Sequence, residues 1–240
     1  MEGVLHSIES LAAVDGEGLR CCVFLAGCPL RCAYCHNPDT WTMQGKRVSP
    51  EELVQKILRF RPFFGENGGV TFSGGEPLLQ SSFLCEVARL LKKEGIRYML
   101  DTSGHTELNQ DVIDLLTNAQ GVLLDLKFSD DAEYRAFTGC GIQRTLDFLA
   151  ELDRLGTKTV VRTVVVPDVN DTVEAIQKYL DCISGFRCVS KYELLPFHTM
   201  GFFKYEKLEI TNPFADKAPL PREKLDVLQA YVNERMKKNG

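Results

Sequence analysis

The stretch Cys28-Pro29-Leu30-Arg31-Cys32-Ala33-Tyr34-Cys35 constrains this chain more than any other, because it sets three thiols x3 and then x2 apart at the end of the apolar run 22–26. Thiols so closely spaced meet around one metal centre. A cube of four irons has four corners, and three cysteinates leave one iron open to a ligand from substrate or cofactor. A structural zinc site is one competing reading, but it usually takes four ligands in two separated pairs. The sequence has no second Cys-x2-Cys, and His36 stands next to Cys35, too close to share its metal. Free core cysteines are the other alternative, against which Pro29, Arg31 and Tyr34 interrupt any core strand.

With 240 residues and 44% hydrophobic content, the chain is long enough to bury a full core as one domain of the α/β barrel size class, and residues 1–240 are read as that single domain. No stretch approaches the roughly 20 apolar residues that span a bilayer, and the N-terminus lacks a basic region followed by an apolar one, so a cytoplasmic location is expected. Nine cysteines, an odd number, argue for a reducing compartment rather than a disulfide framework. Cys21, Cys22, Cys85, Cys140, Cys182 and Cys188 form no second close-spaced motif and read as ordinary thiols. The net charge of −5 with evenly mixed signs gives no footprint for nucleic acid or a membrane surface.

Apolar runs at 3–8, 19–26, 69–72, 97–100, 121–127, 159–167 and 191–196 read as strands. Helical patterns are expected at 49–60, 81–94, 142–155, 172–183 and 222–237, the first opened by Ser49-Pro50-Glu51-Glu52. Residues 202–221 read as an ordered surface loop. Strands alternating with helices imply a parallel sheet of about six βα units with right-handed crossovers, either a partial barrel open on one side or a doubly wound open sheet. In both, ligands bind just beyond the strand C-termini. Ser73-Gly74-Gly75-Glu76, Asp101, Asp125-Leu126-Lys127, Arg162 and His198 all fall at such ends or within such strands. A carboxylate there meets a ribose hydroxyl, an ammonium or a cation, although each aspartate alone could cap a helix. Asp125 and Lys127 share one strand face, since alternate side chains point the same way. Arg162 interrupts an apolar strand and needs an acidic partner. Of the four histidines, His36 and His198 read as site residues and His6 and His105 as structural.

The cysteine spacing with Tyr34 before the last thiol, and the flanks 14–20 and 34–41, resemble the radical S-adenosylmethionine (SAM) enzymes, in particular the glycyl-radical activases that act on pyruvate formate-lyase. The likeness runs along nearly the whole chain. The resemblance implies an α/β fold of the partial (β/α)6 TIM-type barrel class. It implies a [4Fe-4S] cluster on Cys28, Cys32 and Cys35 and SAM chelated at the open iron. Reductive cleavage then gives methionine and a 5′-deoxyadenosyl radical that removes a hydrogen atom from a backbone glycine. Carried over residue by residue, Tyr34 and His36 adjoin the cofactors, and Gly75, supported by Gly74 and Glu76, meets the methionine amino group. Asp101 and Asp125 lie beside SAM and a monovalent cation, while Leu126, Lys127, Arg162 and His198 complete the SAM site. Asp15-Gly16 matches a segment that meets the partner's glycyl loop, although Glu17 stands where many relatives have proline. The implied partners are pyruvate formate-lyase and a reduced flavodoxin or ferredoxin as electron donor, with the activase a monomer. Relatives acting on other glycyl radical enzymes often insert a ferredoxin-like segment after the cysteine loop; here the 37 residues 36–72 contain no cysteine. The alternatives are an activase of another glycyl radical enzyme such as an anaerobic ribonucleotide reductase, a small-molecule radical SAM enzyme, or a non-catalytic iron–sulfur electron carrier or sensor.

Overall fold

The computed structural model describes residues 1–238. Eight strands, β1 (Gly3–Ala12), β2 (Arg20–Leu25), β3 (Lys46–Val48), β4 (Gly69–Gly74), β5 (Tyr98–Thr102), β6 (Gly121–Asp125), β7 (Thr159–Val165) and β8 (Val189–Pro196), form one sheet in the order β3-β1-β2-β4-β5-β6-β7-β8. The six strands from β2 through β8, β3 excepted, run parallel. They are nearly continuous hydrophobic runs, as strands covered on both faces must be; Val122, Leu123 and Leu124 of β6 are all buried.

Helices α1 (Pro50–Leu58), α2 (Ser81–Lys93), α3 (Gln110–Asn118), α4 (Asp131–Thr138), α5 (Gln143–Leu155), α6 (Val173–Ile183), α7 (Phe203–Lys207) and α8 (Arg222–Lys238) complete the fold. Their ends follow local chemistry. At α1 the Glu52 amide donates to Ser49 Oγ and the Ser49 amide to Glu52 Oε2, a capping box with Pro50 at the first helical position. The sheet curls but β3 and β8, its two ends, do not pair, which makes a partial (β/α)6 barrel open on one side.

Three features depart from the sequence reading. The first strand runs on to Ala12 and pairs antiparallel with β2, with the short β3 on its other flank. Helix α3 fills a crossover for which the sequence reading named none, and α4 adds a second helix ahead of the expected 142–155, although Asn109 and Asp130 cap them and Gly139 ends α4 in the left-handed region. The loop expected over 202–221 contains the one-turn helix α7.

Arg20 anchors the N-terminal end of the barrel. It is fully buried, and its Nε donates to Thr71 Oγ1 at 2.7 Å while Nη2 donates to the Val70 carbonyl at 2.7 Å. Nη1 reaches Glu17 O, Asn67 O and Gln120 Oε1 at 2.8, 3.3 and 3.2 Å, tying the 15–18 loop to the starts of β4 and β6. Burial pulls its pKa down to about 10, which leaves it charged at neutral pH. Arg20→Ala strands several buried carbonyls and opens a cavity, so it is expected to cost about 3 kcal/mol or more. Urea unfolding checks this; a loss under ~0.5 kcal/mol, the range of ordinary surface changes, contradicts it.

Candidate active site

The cysteine loop leaves the C-terminal end of β2, where side chains and ligands collect in barrels of this kind. Its backbone is pinned on both flanks. The Gly27 and Cys28 amides donate to Thr40 O and Trp41 O, and the Arg31 and Ala33 amides to Thr138 O and Phe137 O at the end of α4. Tyr34 is buried against Phe128 and Phe214, and Tyr205 of α7 donates its hydroxyl to the Cys35 carbonyl at 3.0 Å. The three thiols thereby line one cavity of about 330 Å³, together with Tyr34 and His36. Burial pushes the Cys28 and Cys32 thiols up to about 12, and it raises Cys35 as well. Lys127 works against that rise at all three positions. Among the described residues no three His, Cys, Asp or Glu side chains converge on a point that would hold a single metal ion. Three thiols on one loop, with no second close-spaced pair, match a cube with one open corner better than a structural zinc site.

The glycine pair after β4 is a steric necessity of this loop. Gly74 has φ +115°, and a Cβ on it would lie 2.3 Å from Leu25 O; one on Gly75 would lie 2.2 Å from Gly27 O and 3.0 Å from the Cys28 Cβ. Only glycine lets the two backbones approach this closely. The Gly75 and Glu76 amides then donate to Leu25 O and Gly27 O, so the pair braces the cysteine loop while itself facing the cavity.

Glu76 corrects the sequence reading. Its carboxylate is fully buried behind the cavity wall, accepting from Thr102 Oγ1 (2.6 Å), Ser103 Oγ (2.6 Å), and the Ser103 and Leu78 amides. It fastens β4 to the end of β5 and offers no free oxygen to a ligand. Leu126 is the second correction: strand alternation turns it into the core, where it is 1% exposed, while its neighbours Asp125 and Lys127 face the cavity.

Four charges meet on the cavity floor. Arg162 donates from Nε to Asp125 Oδ1 at 2.9 Å and from Nη2 to Asp101 Oδ1; Lys127 Nζ lies 2.7 Å from Asp125 Oδ2; Ser73 Oγ donates to Asp101 Oδ2 at 2.7 Å. Burial pushes Asp125 up, but Arg162 and Lys127 outweigh it and hold the carboxyl below its usual range. At Asp101 burial prevails over the pull of Arg162, helped by the nearby Asp125, and the net shift is upward. The two acids in turn hold Arg162 and Lys127 charged despite their burial. Register explains the meeting: Asp125 pairs with Arg162 across β6 and β7, and Asp101 sits one strand further along.

His36 and His198 stack with ring centroids 3.7 Å apart and planes 10° apart. His36 Nε2 contacts the His198 carbonyl at 3.0 Å; because a carbonyl only accepts, Nε2 carries the proton. Burial and the adjacent His198 lower the His36 pKa to about 4, so its ring is neutral at pH 7 and Nδ1 is an acceptor. His198 Nδ1 is buried without a partner in the protein, an unfilled valence beside His36, which lines the cavity. His6, expected to be structural, contacts Asp39, which also accepts from Lys204 of α7.

Asp15 lines the cavity, whereas Gly16 packs against the side chains of Met99 and Arg20. Glu17 forms an exposed ion pair with Lys158 just before β7, which holds the loop at the N-terminal end of the barrel. The sequence reading missed Thr102 and Ser103 as wall residues, and it missed that the Arg31 guanidinium lies 5.0 Å from the ring centroid of Trp41 beside the cysteine loop. Ser73 was legible as the first residue of a strand-end glycine turn; the Arg31–Trp41 pairing had no sequence signal. A larger groove of about 500 Å³ between α2 and α3, lined by Cys85, Arg89 and Tyr98, brings together no comparable chemistry.

Residues 22–180 match the model of the Radical SAM superfamily. The chain is 46% identical to the pyruvate formate-lyase-activating enzyme of Clostridium pasteurianum over 97% of this chain and 98% of that one. It is 36% identical to the enzyme of the same name from Staphylococcus epidermidis, over 97% and 96%. Among solved structures, Streptococcus suis SuiB bound to S-adenosylmethionine superposes with a TM-score of 0.66 at 16% identity, covering 88% of this chain and 45% of that one. A domain of the pyruvate-formate lyase-activating enzyme from Bacteroides vulgatus does so with 0.56 at 21%, covering 70% and 94%. Three thiols on one loop at the head of a six-stranded parallel half-barrel, a glycine turn bracing them, and this full-length similarity have one reading: the chain belongs to the radical SAM superfamily and, within it, to the family of pyruvate formate-lyase-activating enzymes.

Proposed function

We propose that this chain activates pyruvate formate-lyase by generating a radical on one of its backbone glycines. What supports this most is the single cavity at the strand C-termini that carries the three thiols, the glycine turn and the Asp101–Arg162–Asp125–Lys127 group together. The cofactors are a [4Fe-4S] cluster and SAM, which together supply reductive cleavage to methionine and a 5′-deoxyadenosyl radical able to take the glycine hydrogen atom.

The chain's own part is to bind, orient and exclude water. Cys28, Cys32 and Cys35 would hold the cluster, with Tyr34 sealing the loop from beneath. The backbone of Gly74 and Gly75 would receive the methionine amino group. The buried charges at Asp101, Asp125, Lys127 and Arg162 are preorganised for a zwitterionic amino acid end and a ribose, and a monovalent cation there would share the two carboxylates with Arg162 and Lys127. The neutral His36 acceptor and the unpartnered His198 Nδ1 suit the hydrogen-bonding edges of an adenosyl group. Asp15 would face the incoming glycyl loop.

A reduced flavodoxin or ferredoxin is the proposed electron donor, and a monomeric, single-domain chain in the cytoplasm the proposed working form. No helix among the described residues is long and apolar enough to cross a membrane. Anaerobic mixing of the reduced, cluster-loaded chain with SAM and pyruvate formate-lyase is expected to give a glycine-centred doublet in electron paramagnetic resonance, with deoxyadenosine formed in proportion. Radical formation only on a different glycyl radical enzyme would retain the chemistry and overturn this choice of partner. SAM turnover without any protein radical would overturn the activase reading.

A further inference from the structure

We infer that the outer edge of β1, residues 6–12, is a docking strand on which the glycine-bearing segment of the protein substrate adds to the sheet in extended form. The inference rests on the activase reading above. A sheet with two unpaired ends has two edges, and the chain treats them differently. At β8 the edge is closed from within: the Leu194 amide donates to Gln229 Oε1 at 2.8 Å, and Gln229 Nε2 donates to Tyr192 O at 3.1 Å, so one α8 side chain occupies both kinds of edge group. At the other edge β3 covers only Gly3, Val4 and Leu5. From residue 6 onward β1 pairs with β2 on one side, and among the described residues no strand lies on the other.

An uncovered edge is normally blunted, since it invites another chain to pair with it. This one carries neither lysine nor proline; residues 6–12 read His-Ser-Ile-Glu-Ser-Leu-Ala, and Glu9 with the register shift after it is its only blunting. Glu9, Ser10 and Leu11 are exposed, Leu11 by 47%, and Val14 just beyond is 84% exposed. The strand also leads to the chemistry: Glu9 and Asp15, at the two ends of the exposed tip, line the same cavity as the three thiols. Between them the β1–β2 register shifts, and Leu11 adopts φ +60°, a left-handed conformation rare for a branched residue. Because Leu5 pairs with Leu25 and Ala12 with Arg20, the strand runs from the level of the cysteine loop toward the other barrel end, and Glu9 meets the cavity part-way along it.

A strand edge recognises main-chain amides and carbonyls, so its occupant is an extended polypeptide rather than a small molecule. Before the bend at Leu11, residues 6–10 offer a rail of about 15 Å, along which a loop can be drawn to the cavity on the open side of the barrel. The exposed Leu11 and Val14 side chains supply the apolar contact that main-chain pairing alone lacks.

The test is hydrogen–deuterium exchange on the SAM-loaded, cluster-bearing chain, with and without a synthetic peptide copying the radical-glycine loop of pyruvate formate-lyase. Amides within 6–12 are expected to exchange about tenfold more slowly with peptide, since pairing must open before exchange. Leu11→Lys, which puts an edge-blocking charge on an exposed position, is expected to raise the partner concentration for half-maximal activation about tenfold without a matching fall in the maximal rate. Exchange in 6–12 that ignores the peptide, while the parent chain still puts a radical on the partner, overturns the docking strand and leaves the activase reading intact. If no radical forms on the partner at all, the activase reading fails first. Protection of 6–12 that appears without peptide and grows with chain concentration would give the edge to a second copy and likewise overturn the proposal.

Discussion

Cys28→Ala, Cys32→Ala and Cys35→Ala each abolish cluster retention and all SAM cleavage, whereas Cys85→Ala leaves both in place. The expectation follows from how the loop is built. Its three thiols are carried on one backbone pinned to residues 40–41 on one flank and to the end of α4 on the other, so no neighbouring cysteine can swing in as a substitute. Cys140 is spent within 3.8 Å of the Pro29 carbonyl on the outside of the loop, and Cys21 and Cys22 are locked in β2. Two cysteinates leave a cube with two unprotected irons, which is not retained through desalting. Iron and sulfide analysis after anaerobic reconstitution should read about four of each for the parent and Cys85→Ala, and well below about one for the loop variants. Full iron content in any loop variant, or its loss on changing Cys140 or Cys188 alone, would falsify the assignment.

Arg162→Ala is the second large effect. Among the described residues Arg162 is the only side chain that pairs with both floor carboxylates, and removing one partner of a buried ion pair costs about 3–5 kcal/mol because it leaves charge uncompensated. Asp125 retains Lys127, but Asp101 retains only the Ser73 hydroxyl. Its carboxyl, already held above the ordinary range by burial, rises further and takes up a proton. A carboxyl whose folded pKa is raised binds more protons in the native state than in the unfolded one, so stability falls as pH rises through the carboxylate range. The variant's deficit is therefore expected to grow between weakly acidic and neutral pH. SAM binding should weaken at least about tenfold, the loss of one well-made charged contact. Arg162→Lys should recover part of the stability but not the two-carboxylate fork. Thermal melts across pH and calorimetry with SAM decide the matter. A variant that melts with the parent at every pH and binds SAM as tightly would show that the four-charge group is neither structural nor part of the site.

Several features were fixed by local sequence alone. The Cys-x3-Cys-x2-Cys spacing needs no tertiary information, because eight residues of one loop cannot keep their thiols far apart. The parallel strands were legible for a related reason: a strand buried on both faces reads as an unbroken apolar run, and at Asp101, Asp125 and His198 the run stops where solvent and ligand begin. The same-face placement of Asp125 and Lys127 followed from the two-residue repeat of a strand.

Only the tertiary structure decided the rest, since it depends on contacts between residues distant in the chain. Glu76 looked like a ligand from its motif, but it was Thr102 and Ser103, some 26 residues later, that drew its carboxylate behind the wall. Arg20 read as one flank of a motif, and its five acceptors come from three separate segments. His36 and His198 lie 162 positions apart, and their stack exists because β8 returns to the side of the cysteine loop. The two sheet edges are the clearest case. Whether a strand is flanked on one side or both is settled by which segments arrive beside it, and neither the apolar pattern of β1 nor that of β8 records that Gln229 closes one edge while the other stays open.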